Sequence, residues 1–271
     1  MSFLQISRET AIRMGEPIEL LGLTFYPVMM TDYDTFLQCK NALILRMGTL
    51  PVRFQRYDYL SAVFAFEMDR IKNTGSSSGL FDRMLRFFYL SLRIGYDRKP
   101  ALRHISINRK TGMIDSIEVN QNGKKAQITP IEFSQQVRPV LAEQNGLKLP
   151  DEAENIDLVR SAEEKKAFQN RNSVKLDTNI DDLISAVAYL SHIREKEIYG
   201  WTVREFERRR LAIERDKKFT LYGQAEISGM VSFKNGNPYP SWCFDVIDDS
   251  LGTMTMSELQ GKTGGINNKQ Q

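Results

Sequence analysis

The sequence predicts an α+β protein that is mostly helical. Apolar residues recur at helical spacing along several long segments, whereas alternation of apolar and polar residues is confined to two short regions, 17–30 and 104–128. The 271 residues are 41% hydrophobic and 26% charged, which is an ordinary composition for a globular protein with a sizeable core. We therefore expect small antiparallel sheets among a larger number of helices.

Residues 1–99 are expected to form an N-terminal domain with a β-hairpin and three helices. The hairpin strands flank Gly22, because glycine readily adopts the backbone conformation of a tight turn. The helices are expected at about 33–47, 57–71 and 80–94. The third of them is apolar nearly all round, so it should lie at the centre of the core.

Residues 100–149 are expected to form a small three-stranded β-meander covered by one helix. Two alternating stretches predict the first strands, and the Asn-Gly pair at 122–123 predicts the hairpin turn into the third. Thr129 and Glu132 have the spacing of a capping box, which places the helix start there. Pro139 is expected to kink this helix, because proline lacks the backbone N–H.

Composition divides the rest of the chain. Residues 150–177 are polar and poor in aromatic side chains, which predicts a linker that can include one exposed helix. Residues 178–249 are expected to form a C-terminal helical unit, with one helix at about 179–199 and a second starting at residue 202. Residues 250–271 have the composition of a disordered tail.

The start of the second C-terminal helix carries the strongest local signal in the chain. Thr202 and Glu205 can form a capping box, and Trp201 can pack against Phe206 about one turn later. Residues 204–218 contain seven basic and four acidic side chains, several of them spaced to pair one turn apart. A solvated helix face is the first interpretation of this charge, followed by an acidic protein partner and then by nucleic acid.

Two aromatic residues near the C-terminus extend this candidate surface. Trp242 and Phe244 follow a proline-rich bend and could fold back onto the sparsely apolar middle of the helix. A buried aromatic clamp is favoured over an exposed binding hot spot for this pair. The candidate partner-binding residues of the chain are Trp201, Phe206, Arg208, Arg209, Arg210, Arg215 and Trp242.

The sequence contains no pattern typical of catalysis, metal binding or cofactor binding. The histidines, His104 and His192, and the cysteines, Cys39 and Cys243, lack the close spacing of a zinc site. The glycine-rich loops that bind nucleotide phosphates are also missing. The acidic pair at 181–182 is explained by the preference for negative charge in a first helical turn. We expect neither an enzyme nor a bound cofactor.

Charge and hydrophobicity limit the expected partners and location. The net charge is only +3, from 37 basic and 34 acidic residues, which lacks the overall positive excess of many nucleic-acid-binding proteins. The N-terminus has neither the basic start nor the apolar run of a signal peptide. No window is long and apolar enough to span a bilayer. These features predict a cytoplasmic protein without a membrane partner.

Two segments resemble a known family. Residues 17–37, in which the hairpin leads into a helix, resemble the opening of small phage and prophage proteins encoded beside tail genes. Residues 183–206 are similar to the helical region of tail assembly chaperones from phages of Gram-positive bacteria. The resemblance implies a non-enzymatic protein of the host cytoplasm that keeps the tape-measure protein soluble while the tail tube polymerises.

Other functions remain open at this point. The chain is longer than most such chaperones, and its meander has no counterpart in them, so a structural tail protein or a head-completion protein is an alternative. A second alternative is a nucleic-acid-binding module that uses the basic helix residues 204–218. Such a module would lose affinity steeply as salt increases. A third alternative is an enzyme whose catalytic residues form no recognisable sequence motif.

Overall fold

A computed structural model describes residues 7–97, 104–153, 179–229 and 237–244, together with Phe233 and isolated positions between 157 and 168. Within these residues the protein is mostly helical and has two small antiparallel sheets, which confirms the predicted α+β class. The chain divides into two compact units. The first comprises Met1–Glu152 and Asn179–Ile213, and the second comprises Ala153–Thr178 and Glu214–Gln271.

The N-terminal hairpin forms as predicted. Strand β1 (Ile18–Leu20) pairs antiparallel with strand β2 (Leu23–Phe25) through a two-residue turn. Both turn residues have positive φ, 52° at Leu21 and 76° at Gly22, as a type I′ turn requires. Glycine adopts this conformation at no steric cost, so Gly22 permits the tight connection.

Five α-helices lie between residue 7 and residue 97. They are α1 (Arg8–Met14), α2 (Tyr33–Leu43), α3 (Val52–Gln55), α4 (Tyr59–Thr74) and α5 (Leu80–Ser91). Helices α2, α4 and α5 correspond to the three predicted helices. The short helices α1 and α3 were not predicted. Helix α1 is delimited by a side-chain cap from Ser7 and by Gly15 in the left-handed conformation.

Helix α5 lies within the core of the first unit, as its apolar surface predicts. Phe87 and Phe88 have no exposed surface. The ring centroid of Phe88 is 6.1 Å from that of Phe25 in the hairpin and 5.6 Å from that of Phe133, which follows the meander. Aromatic packing on α5 therefore joins the hairpin to the later part of the chain.

The predicted meander is present as an antiparallel sheet in the order β3-β4-β5. Its strands are β3 (Ile105–Ile107), β4 (Ile114–Gln121) and β5 (Lys124–Ile128). The predicted hairpin turn lies between β4 and β5, where Asn122 and Gly123 have the positive φ values of a type I′ turn, 53° and 84°.

The covering helix also begins where the sequence predicts. Glu132 donates its N–H to the Thr129 hydroxyl, and the Glu132 carboxylate accepts the Thr129 N–H at 2.8 Å, which completes the capping box. The helix consists of α6 (Pro130–Glu132), a π-helical turn (Phe133–Val137) and α7 (Arg138–Gln144). The π-helical turn lies just before Pro139, where a proline cannot donate the usual helical hydrogen bond.

Two buried amide side chains join the meander and α7 to the hairpin. Gln121 accepts the N–H of Thr24 at 2.8 Å and donates to the carbonyl oxygens of Thr24 and Leu92 at 2.8 and 2.9 Å. Asn145 accepts the N–H of Val28 at 2.8 Å. Residues that the sequence assigned to a hairpin-and-helix domain and to a separate meander domain therefore share one core.

In the described residues after 178, the chain forms three helices: α8 (Ile180–Ser191), α9 (Glu195–Ile198) and α10 (Val203–Ile227). The single helix predicted at 179–199 is wrong, because His192 takes a φ of 56° and ends α8. Helix α10 matches the predicted second helix. The predicted linker lies largely outside the described residues, and the predicted tail lies entirely outside them.

Candidate protein-docking surface

The start of α10 is fixed to the chain that leaves the hairpin. Val203 donates its N–H to the carbonyl of Val28 at 2.8 Å, and Met30 donates to the carbonyl of Trp201 at 2.9 Å. The Thr202 hydroxyl accepts the N–H of Glu205 at 3.1 Å, as predicted for a helix cap. These bonds hold the first turn of α10 against the first unit.

Phe206 presents no surface to a partner. Its side chain has no exposed area, and its ring packs edge-on against Tyr33 with a centroid distance of 6.1 Å. The Tyr33 hydroxyl donates to Glu207 at 3.2 Å. Burial, followed by the negative charge of Glu207, raises the pKa of Tyr33 to about 12. The expectation that Phe206 binds a partner is therefore wrong, because it anchors α10 to the core.

The other candidates in the first unit form a small aromatic and basic group. The guanidinium of Arg209 lies 4.5 Å from the ring centroid of half-buried Trp201, a cation–π arrangement. Arg210 pairs with Glu207 at 2.9 Å, one turn earlier on the helix. Arg208 and Arg209 are exposed. The first half of α10 thus offers charged and aromatic contacts around a fixed helix start.

The second unit contains Arg215 and Trp242, the two remaining candidates. The segment 237–244 runs along α10 in the opposite direction. Four helix residues on one face, spaced three or four apart, contact this segment: Arg215, Lys218, Tyr222 and Glu226. The C-terminal segment therefore folds back onto the helix, as expected.

The contacts of this segment come mainly from residues other than the predicted pair. Arg215 donates to the carbonyl of Cys243 at 3.0 Å, and the rings of Tyr222 and Tyr239 lie 4.8 Å apart. Trp242 and Phe244 are 61% and 73% exposed. The expectation of a buried aromatic clamp is wrong, because Tyr239 packs against the helix in their place.

The backbone beside these two aromatics is held in a defined turn. The hydroxyl of Ser241 accepts the N–H groups of Cys243 and Phe244 at 3.2 and 3.1 Å. Arg215 secures the same turn to α10. Trp242 and Phe244 are thus exposed side chains on a backbone that hydrogen bonds hold in a turn.

Other features bear on the chemistry of the described part of the chain. No group of three or more potential metal ligands occurs there. None of its helices combines the length and the apolar character that crossing a membrane requires. His192 lies at the end of α8, and His104 precedes β3.

We found no matching family model, curated protein or solved structure for this chain.

Proposed function

We propose that the protein is a non-enzymatic phage or prophage morphogenesis protein, and more specifically a tail assembly chaperone that binds the tape-measure protein in the host cytoplasm. The resemblance of residues 17–37 and 183–206 to that family supports the proposal. The structural observation that carries it is the exposure of Trp242 and Phe244 on a segment held against α10.

Exposed aromatics of this kind suit the binding of an apolar protein surface. Tryptophan is enriched among the residues that dominate interface energies, and each large aromatic can bury roughly 150–250 Å². Leu221 and Ile227, also in the second unit, are further exposed apolar residues on α10. A long helical protein with unassembled apolar stripes would be shielded from aggregation by such contacts.

The charge on α10 favours a protein partner over nucleic acid. Several of its basic side chains already contact acceptors within the chain, namely Arg204, Arg210, Arg215 and Lys218. Nucleic-acid binding depends mainly on basic groups that neutralise phosphates. Basic side chains that already donate to carboxylates and carbonyls contribute less to the neutralisation of phosphates. Arg208 and Arg209 are the exposed basic residues in the first half of α10.

Co-expression with the tape-measure protein of the same phage genome tests the proposal. The tape-measure protein should remain soluble and co-purify with this chain. In the control, a small unrelated protein is co-expressed in place of this chain, and the tape-measure protein should then aggregate. A tape-measure protein that stays insoluble and unbound in the presence of this chain contradicts the proposal. Binding to a tail-tube or head protein instead, or salt-sensitive retardation of DNA in a gel, would favour one of the alternative functions.

A further inference from the structure

A cleft of about 530 Å³ lies beside the start of α10, entirely within the first unit. Residues from α1, α7 and α10 line it, and they are Arg8, Glu9, Ile12, Arg13, Glu143 and Arg204. The lining combines three guanidinium groups, two carboxylates and one apolar side chain. A cleft of this volume is within the range of small-molecule sites.

The carboxylates of the cleft neutralise its arginines incompletely. Arg8 pairs with Glu143 at 2.9 Å. Arg13 pairs with Glu9 only at 3.7 Å, and both side chains are mostly exposed. Exposed ion pairs at such distances are weak. Most of the five N–H donors of the Arg13 guanidinium therefore lack an acceptor among the described residues.

Arg204 also has unused hydrogen-bonding capacity. One of its terminal nitrogens donates to the carbonyl of Glu143, but its buried Nε–H has no acceptor in the described part of the chain. A buried donor without an acceptor is uncommon in folded proteins. The Cγ atom of Arg204 is only 3.3 Å from the position that a Cβ on Gly146 would occupy, so the side chain is closely packed at its base.

Neighbouring positive charges act on Arg204 as well. Burial lowers the pKa of Arg204, and the charges of Arg208 and Arg13 lower it more, against the opposing charge of Glu143. A bound anion would relieve the repulsion among these arginines and supply acceptors for their donors. The geometry of the cleft and the unpaired Nε–H thus point to the same kind of ligand.

We propose that this cleft binds an oxyanion, a carboxylate or a phosphate group, between Arg13 and Arg204. The planar guanidinium offers paired N–H donors that match two oxygens of either group. Ile12 provides an apolar contact for the carbon skeleton that carries the group. The site is independent of the tape-measure proposal, since it uses other residues in the first unit.

Titration of the full chain with inorganic phosphate, and separately with succinate, tests the site at constant ionic strength. Arginine Nε–H resonances are followed by NMR, and the Arg204 signal is assigned by its loss in Arg204→Lys. We expect a saturable shift of that signal. Arg13→Gln should weaken binding about tenfold, the loss expected for one charge-assisted hydrogen bond. The matched control Arg53→Gln removes an equal charge from a surface pair with Asp69 and should bind as the wild type does.

The outcomes separate the two ligand classes. Saturation by phosphate alone assigns a phosphoryl ligand, and saturation by succinate alone assigns a carboxylate ligand; either result supports the site. No saturable shift with either anion overturns the proposal, as does equal affinity in Arg13→Gln and wild type. Arg13 is exposed, so this variant should retain the wild-type circular dichroism spectrum.

Discussion

The guanidinium carbon of Arg138 lies 3.5 Å from the ring centroid of Tyr59, and both side chains are buried. Arg138 donates to the carbonyl oxygens of Leu43 and Leu45 at 2.9 and 2.8 Å, at the end of α2. The Tyr59 hydroxyl donates to the carbonyl of Ala42 in the same helix end. A buried cation thus caps the negative end of the α2 dipole and holds α2, α4 and α7 together.

Replacement of this cation should be among the most destabilising changes in the first unit. Arg138→Met leaves two carbonyl groups without donors and removes the cation–π contact, so we expect a loss of about 3 kcal/mol in the free energy of unfolding. Urea denaturation measures it. The control Arg53→Met removes an exposed guanidinium that pairs with Asp69 and lies over the ring of Phe54, and it should cost about 1 kcal/mol. Equal losses in the two variants would contradict a structural role for Arg138.

Glu67 should make stability depend on pH. Burial alone would raise the pKa of this carboxyl, but hydrogen bonds from the hydroxyls of Ser77 and Ser78 and from the N–H of Gly79 outweigh it and hold the pKa below its usual value. The resulting stability is present above the pKa of the unfolded chain, about 4.3 for glutamate. It is lost as pH falls through the lower pKa of the folded state.

The variant Glu67→Gln isolates this effect, since glutamine does not titrate. At pH 7 we expect it to be about 2 kcal/mol less stable than the wild type, because the charge-assisted bonds are weakened. Between pH 7 and pH 3, the wild type should lose more unfolding free energy than the variant. Denaturation curves at the two pH values provide the comparison, and parallel losses in both proteins would rule out the role of Glu67.

Gln121 should control the attachment of the hairpin to the meander. Gln121→Leu leaves the N–H and carbonyl of Thr24 and the carbonyl of Leu92 without partners, which we expect to cost about 3 kcal/mol. The Thr24 amide should also exchange with solvent faster, as hydrogen-exchange NMR can detect. The control Gln127→Leu, on the exposed side of β5, loses one bond to Ser116 and should leave that amide unaffected. Unchanged protection of Thr24 in Gln121→Leu would contradict the proposed attachment.

Features defined by neighbouring residues were predictable from the sequence. The capping box of Thr129 and Glu132 joins residues three apart, and the turn at Gly22 depends on a single local conformation. Helix α1 was missed although Ser7 and Gly15 mark its ends, because Ile12 is its single buried apolar residue and no periodicity results. Capping residues alone do not predict a helix when apolar residues fail to recur at helical spacing between them.

Features that depend on distant segments were not predictable. The helix-start pattern includes Phe206 but does not show that Tyr33, far away in sequence, packs against it. Similarly, Tyr239 rather than Trp242 packs against Tyr222. Tertiary packing determines which of the several aromatic residues contacts the helix, and the local sequence does not reveal it. The arginines of the cleft come from separated segments, so no sequence motif unites them.

The central claim is that exposed aromatics of the second unit bind the tape-measure protein, and calorimetric titration with a soluble helical segment of that protein tests it most directly. The double variant Trp242→Ala and Phe244→Ala should weaken binding at least about 30-fold, as expected for the loss of interface hot spots. The control Val52→Ala and Ile131→Ala alters exposed apolar residues of the first unit and should bind normally. Wild-type affinity in the double aromatic variant, or no binding by the wild type, would contradict the claim.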